Sequence, residues 1–79
     1  MRFKELDTVV LTRDVPEHSL KEGDIGAIVH LHADRETVEV EFVTAEGKTI
    51  AVLTLMPEDI RSIADRDILH VRDYSAAVG

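Results

Sequence analysis

Two histidines separated by one residue have the clearest chemical potential in this sequence. His30 and His32 project to the same side if their segment is a β-strand, because residues i and i+2 of a strand point alike. Glu39 and Glu41 follow at strand spacing, and two imidazoles with either carboxylate match the ligand set of a zinc site. Ordinary His–Glu pairing across strands explains the same residues without an ion. No further ligand or second-shell motif accompanies them, so we expect no cofactor and keep only His30 and His32 as candidate metal ligands.

A second group of residues contains the side-chain types that take part in nucleophilic catalysis. His18 and Ser19 are adjacent, with Asp14 and Glu17 nearby, so a triad is possible on paper. Their segment, residues 13–23, is polar and contains proline and glycine, which is typical of a solvated loop. The chain has no cysteine, and a small barrel fills its interior with side chains and leaves little room for a substrate. We therefore expect no enzymatic activity.

The segment that carries Glu39 and Glu41 alternates apolar and polar residues with a period of two. Val38, Val40 and Phe42 alternate with Glu39 and Glu41 along residues 37–43, which predicts a strand with one apolar and one acidic face. We assign Glu36 to the same outer row as these two glutamates. Such a row is either a solubilising face or a docking surface for a basic partner.

Further short strands are predicted at residues 7–12, 25–32, 48–54 and 60–63. Gly47 supplies the positive φ of a tight hairpin, and Pro57 begins a 3-10 turn before the last of these strands. Val15 and Leu20, in the long polar loop, are expected to fold back onto the sheet. The pattern predicts a mainly β fold, a small five- to six-stranded SH3-like barrel with a 3-10 turn before the last barrel strand.

We divide the chain into a barrel, residues 1–63, and a C-terminal extension, residues 64–79. The extension carries a segment too apolar for a solvated tail, namely Ile68, Leu69, His70, Val71 and Arg72. One alternative is a sixth strand or helical turn that covers an open barrel end and buries Ile68 and Val71. The other is docking on a second protein, by strand addition or through an apolar patch.

Composition narrows the function further. The 79 residues include 9 basic and 16 acidic side chains, a net charge of −7. This charge disfavours binding to the phosphate backbones of nucleic acids and to anionic membranes, and it favours binding to a basic partner. Few aromatic side chains are available to stack on bases or to line a groove for proline-rich peptides. We see no signal peptide, no apolar run long enough for a membrane span and no need for an oxidising compartment, so we expect a cytoplasmic protein.

Residues 20–29 have the form L-x-x-G-D-x-G-x-I-V. Here Gly23 allows a sharp entry into the strand, Asp24 is placed to cap the turn, and Gly26 permits close approach or a bulge. The segment resembles those found in C-terminal domains of nitrile hydratase β-chains, in ribosome-associated KOW modules and in other SH3-like barrels. By itself it is evidence of fold and carries little information about function.

A longer resemblance adds segments on either side in the same order. They read LDTVVL at residues 6–11, EFV at 41–43, LTL at 53–55 and RDILHVR at 66–72. Over residues 3–73 the chain is similar to the bacterial family called domain of unknown function 4926. That resemblance implies a small stand-alone protein, often encoded beside another short gene, and through this gene context an antitoxin or immunity role.

We therefore expect a non-catalytic interaction module that neutralises or accompanies one protein partner. The expected partner-binding residues are Glu39, Glu41 and residues 68–72. The partner is expected to be basic and encoded by a neighbouring gene, and a homodimer is compatible with the same surfaces. The alternatives are an accessory or assembly subunit of an enzyme, by resemblance to the nitrile hydratase barrel, and an RNA-binding KOW-like module.

Overall fold

The computed structural model describes residues 3–34 and 36–74, which form one antiparallel sheet of five strands. The strands are β1 Thr8–Leu11, β2 Ile25–His32, β3 Thr37–Val43, β4 Thr49–Leu55 and β5 Ile60–Ser62. Their order in the sheet is β4-β3-β2-β1-β5. The long β2 pairs with β1 near its start and with β3 over the remainder. The predicted mainly β fold is confirmed, and this topology is compatible with an SH3-like barrel.

The predicted strand limits agree closely with the structure. β2 and β3 have the predicted bounds, β4 lies one residue later than predicted at both ends, and β5 ends at Ser62. A 3-10 helix, Pro57–Asp59, immediately precedes β5 as expected, and a second one, Pro16–His18, lies in the long loop. No helix in the described part of the chain is long and apolar enough to cross a membrane.

Alternating side chains of the strands form the core. Val38, Val40 and Phe42 are almost fully buried on one face of β3, as predicted. Val15 and Leu20 are buried as well, and their backbones join through N–H···O bonds of 2.8 and 3.1 Å, so the long loop folds back over the barrel. The core cluster consists of Phe3, Val9, Leu11, Val15, Leu20, Ile28, Val38, Val40, Phe42, Leu55 and Ile60.

A β-bulge in β2 determines which way the histidines face. Strict alternation from the fully buried Ile28 would turn His30 and His32 toward the core. Instead the register with β3 shifts between Ile28 and His30. Leu31 consequently lies opposite the buried Val38 and packs against the core, while both histidines lie on the other face. The sequence pattern did not predict this bulge.

Two glycines have the roles predicted for them, one in a tight turn and one at a close contact between strands. Gly47 has φ +88° in the β3–β4 hairpin, and its N–H donates to the Thr44 carbonyl at 2.9 Å. Gly26 lies where β2 meets β3 closely, and an added Cβ would sit 2.6 Å from Val40 Cγ1 and 2.9 Å from the Glu41 carbonyl oxygen. The close approach predicted at Gly26 is therefore confirmed.

Candidate interaction site

The C-terminal extension is fixed to the barrel at two points, the first of which is Asp67. Its carboxylate accepts hydrogen bonds from Arg61 of β5, at 2.8 Å from Nη1 and 3.2 Å from Nη2. The N–H of Ala64 donates to the same carboxylate at 2.7 Å. The hydrogen bond from Arg61 is the main reason why the pKa of Asp67 lies below its ordinary value. The start of the extension is thereby held beside β5.

The second point, which we call the arginine clasp, joins Arg72 to Asp24 and to the backbone of Ser19. Arg72 donates from Nε to Asp24 Oδ1 at 2.8 Å and from Nη2 to Asp24 Oδ2 at 2.5 Å. Nη2 also donates to the Ser19 carbonyl at 3.0 Å. Paired contacts of this kind fix the orientation of a guanidinium better than one point contact does. Two residues further on, the Tyr74 hydroxyl donates to the His18 carbonyl at 3.0 Å.

Asp24 belongs both to the barrel and to the clasp. Its carboxylate accepts the N–H of Lys21 at 2.8 Å, which confirms the predicted turn cap. Burial pushes the pKa of Asp24 upward, but the bonds from Arg72 and Lys21 together outweigh burial and hold the pKa below its ordinary value. The carboxylate that holds Arg72 is therefore ionised at neutral pH.

Between the two attachment points the extension exposes its aliphatic side chains. Ile68 is 89% exposed, Leu69 66% and Val71 91%. Of the two alternatives for the extension, burial of Ile68 and Val71 over the end of the barrel is therefore wrong, as is a sixth strand or helical turn, since residues 64–74 form neither. Neither side chain belongs to the core cluster, and the contacts of Asp67 and Arg72 hold the two ends of the segment on the barrel.

Two cavities flank the arginine clasp. The larger, of about 740 Å³, lies between the extension and the barrel, where Ile25, Phe42 and Ile50 contribute apolar surface. The smaller, of about 350 Å³, lies against the long loop. Arg72 and Asp73 line both cavities, so this part of the extension separates them. The last five residues of the predicted extension lie outside the described part of the chain.

The face that carries the histidines shows pairing of His with Glu. His32 Nε2 lies 2.5 Å from Glu39 Oε2, and His30 Nδ1 lies 3.9 Å from Glu5 Oε2. The two imidazole rings meet edge to face with centroids 4.5 Å apart. In residues 3–34 and 36–74 no group of three or more His, Asp or Glu side chains is arranged to hold a metal ion. This geometry matches the cross-strand pairing alternative.

The predicted acidic row is shorter than expected. Glu39 and Glu41 lie on the outer face of β3, but Glu39 is bonded to His32 and Glu41 accepts a 2.7 Å hydrogen bond from the Thr49 hydroxyl. Glu36 does not belong to the row, because it lies in the preceding turn with φ +53°. Each carboxylate of the remaining pair is therefore already partly engaged within the barrel.

The structure brings together residues that sequence reasoning did not connect. We expected His18 and Ser19 to belong to a solvated loop, whereas in the structure their carbonyl oxygens accept hydrogen bonds from Tyr74 and Arg72. The bond from Arg72 to Asp24 spans 48 residues and the one from Tyr74 to His18 spans 56. Neither pair has a local sequence pattern. The available signal was the arginine at the end of an apolar segment, opposite an acidic loop.

Comparison with known proteins places the chain in a family. A family model described as Domain of unknown function (DUF4926) matches residues 5–62, which comprise all five strands and exclude the described extension. No curated protein and no solved structure shows a significant match to the chain.

Proposed function

We propose, from the premise that the chain belongs to the DUF4926 family, that it is a non-catalytic interaction module acting on one specific protein partner. In its most concrete form it is an antitoxin or immunity protein that covers a functional surface of that partner. We place this function in the cytoplasm, since the chain has no cysteine that would require an oxidising compartment.

The exposed aliphatic segment between the attachment points carries this proposal. Ile68, Leu69 and Val71 are exposed within four consecutive residues. Neighbouring exposed aliphatic side chains of this kind are typical of protein–protein contact sites. Attachment at Asp67 and Arg72 restricts the segment before any partner arrives, so less conformational entropy is lost on binding.

The charge of the protein supports a basic partner. The net charge is −7, and the outer face of β3 contributes Glu39 and Glu41. An acidic surface of this kind mainly accelerates encounter with a basic protein and disfavours incorrect partners. We assign the affinity to residues 68–72, in which His70 lies between the aliphatic residues and Arg72 comes last, and assign a steering role to the two glutamates.

Where a short gene lies beside this one, as the family resemblance implies, co-expression with its product tests the proposal. The tagged full-length chain should co-purify with that product and relieve any growth arrest that it causes. The double variant Ile68→Ser, Val71→Ser should lose at least tenfold in affinity while its melting temperature is unchanged, because both side chains are exposed in the free protein.

A matched control is Val52→Ser, which alters a partly exposed valine on β4 away from the extension. We expect this variant to bind the neighbouring product like the wild type. If the neighbouring product is harmless alone and no complex survives purification, the antitoxin form of the proposal is wrong. Equal binding by the Ile68→Ser, Val71→Ser variant would exclude the aliphatic segment as the contact surface.

A further inference from the structure

We propose that the site occupied by Arg72 and Tyr74 is a peptide-binding groove, and that the extension is its intramolecular ligand. The external ligand is an extended segment of another protein that carries an arginine and, two residues later, a tyrosine. The bound extension displays the contacts that such a segment would make. This inference concerns the barrel surface that Arg72 and Tyr74 contact, whereas the proposed function rests on the exposed side chains of Ile68, Leu69 and Val71.

The groove binds two side chains through separate hydrogen-bond acceptors. The guanidinium of Arg72 is held by both carboxylate oxygens of Asp24 and by the Ser19 carbonyl, and the Tyr74 hydroxyl is held by the His18 carbonyl. A lysine has one compact ammonium and cannot reproduce the two parallel bonds to a carboxylate. The site therefore distinguishes arginine from lysine as well as cation from neutral side chain.

The spacing of the two contacts matches an extended ligand. Residues i and i+2 of an extended chain project to the same side about 6.5 Å apart, and residues 67–74 have no helix or strand in the structure. Arg72 and Tyr74 therefore reach the same loop, at Ser19 and His18, while the intervening Asp73 lines both cavities.

Apolar and acidic surroundings continue the groove beyond these contacts. The larger cavity presents Ile25 and Ile50 beside the bound extension, and Glu46 lies on its lining. The smaller cavity adds Asp14 on the side of the long loop. An arginine-containing segment with neighbouring aliphatic residues matches this combination of acidic and apolar lining.

Because the extension is covalently attached, it competes strongly with any external segment. A short tether gives the intramolecular ligand an effective concentration in the millimolar range. An external segment thus binds only when it carries further contacts or when the clasp is weakened. Displacement of Arg72 would also release one end of the aliphatic segment, so occupation of the groove and exposure of the extension are coupled.

The test uses the full chain and a synthetic peptide with the sequence of residues 70–74, acetylated and amidated. We expect the variant Arg72→Ala to bind this peptide with saturable NMR shifts at the amides of Ser19, Lys21 and Asp24. The wild type should bind at least tenfold more weakly, because its own extension occupies the groove. Adding Asp24→Asn to Arg72→Ala should abolish binding.

Matched controls keep the test decisive. Peptides with lysine or alanine in place of the arginine should bind at least tenfold more weakly to Arg72→Ala. Circular dichroism reports whether each variant is folded, and Arg72→Lys replaces Arg72→Ala if the latter is not.

Equal binding to wild type and variant, or no saturable shift at the long loop, would overturn the proposal. A concentration-dependent wild-type dimer that Arg72→Ala abolishes would assign the groove to a second copy and also overturn it. None of these results depends on the neighbouring gene product, so failure here leaves the proposed function intact.

Discussion

At the scale of one residue, the close packing of β2 against β3 leaves no space for a side chain at Gly26. A methyl group there would contact Val40 Cγ1 at 2.6 Å, Phe42 Cε1 at 2.8 Å and the Glu41 carbonyl at 2.9 Å. We expect Gly26→Ala to lower the free energy of unfolding by about 1–3 kcal/mol, as overpacking of a core does. Urea denaturation monitored by circular dichroism measures this change.

A double-mutant cycle separates this clash from a general effect of removing glycine. Gly26→Ala should be less destabilising in a Val40→Ala background, because part of the contact is gone. Gly23→Ala is the control, since a Cβ there meets nothing within 4 Å and the penalty comes from φ +94° alone. Its effect should add to that of Val40→Ala. Additivity in both cycles would contradict the steric explanation for Gly26.

At the scale of the element, β4 is an edge strand without a charged residue. Its sequence is TIAVLTL, and within the described residues it pairs only with β3. Uncharged apolar edges are prone to pair with other chains, and a lysine is a common protection. We expect Val52→Lys to reduce concentration-dependent association while changing the free energy of unfolding by less than about 0.5 kcal/mol. Light scattering across a concentration series measures the association.

Val43→Lys is the matched control for this edge. Val43 is 48% exposed and Val52 49%, but Val43 belongs to β3, which pairs with strands on both sides. The two substitutions add the same charge and remove similar exposed apolar surface. If both variants reduce scattering equally, net charge rather than the edge of β4 is responsible.

At the scale of the whole molecule, three Arg–Asp ion pairs join separate segments: one lies within the barrel and two hold the extension on it. Arg72 joins Asp24, Arg13 joins Asp59 at 2.9 Å, and Arg61 joins Asp67. The hydrogen bond from Arg13 is the main reason why the pKa of Asp59 is lowered. Asp24 and Asp67 have lowered pKa values as well, so all three carboxylates favour the folded state when ionised.

These shifts predict loss of stability in acid. A carboxylate with a lower pKa in the folded state stabilises the fold above its unfolded-state pKa, and this contribution disappears as the pH falls through the folded-state pKa. The free energy of unfolding should therefore fall below about pH 4. Asp24→Asn should be less stable than wild type near neutral pH, with the difference shrinking as the pH approaches about 2. Urea denaturation across this pH range measures both.

Arg72→Ala provides the partner control for the acid series. Since it removes the guanidinium that lowers the pKa of Asp24, it should flatten the same part of the pH dependence as Asp24→Asn does. A constant difference between Asp24→Asn and wild type at all pH values would show that the ion pair is absent in solution. It would also remove the observed contacts on which the peptide-binding groove depends.

Local patterns in the chain determined most of the barrel. The alternation of Val38, Val40 and Phe42 defined a strand, and Gly47 and Pro57 marked a hairpin and a 3-10 helix. These features follow from side-chain period and from backbone restrictions of single residues, which act over a few positions. They are readable without knowledge of the neighbouring strands.

The positions of the site residues depended on contacts between segments far apart in the sequence, which no short segment predicts. Alternation alone would have placed His30 and His32 on the core side of β2, and only pairing with β3 shows the bulge that turns them outward. Arg72 meets Asp24 across 48 residues. The apolar composition of residues 68–72 left burial on the barrel and docking on a partner as alternatives, and the structure shows that Ile68 and Val71 are exposed and lie outside the core cluster. The sequence by itself thus determined the strands, turns and charge of this protein, since these are local or summed properties. Only the tertiary structure decided where the extension lies, because that depends on space left by the packed core and on contacts between distant residues.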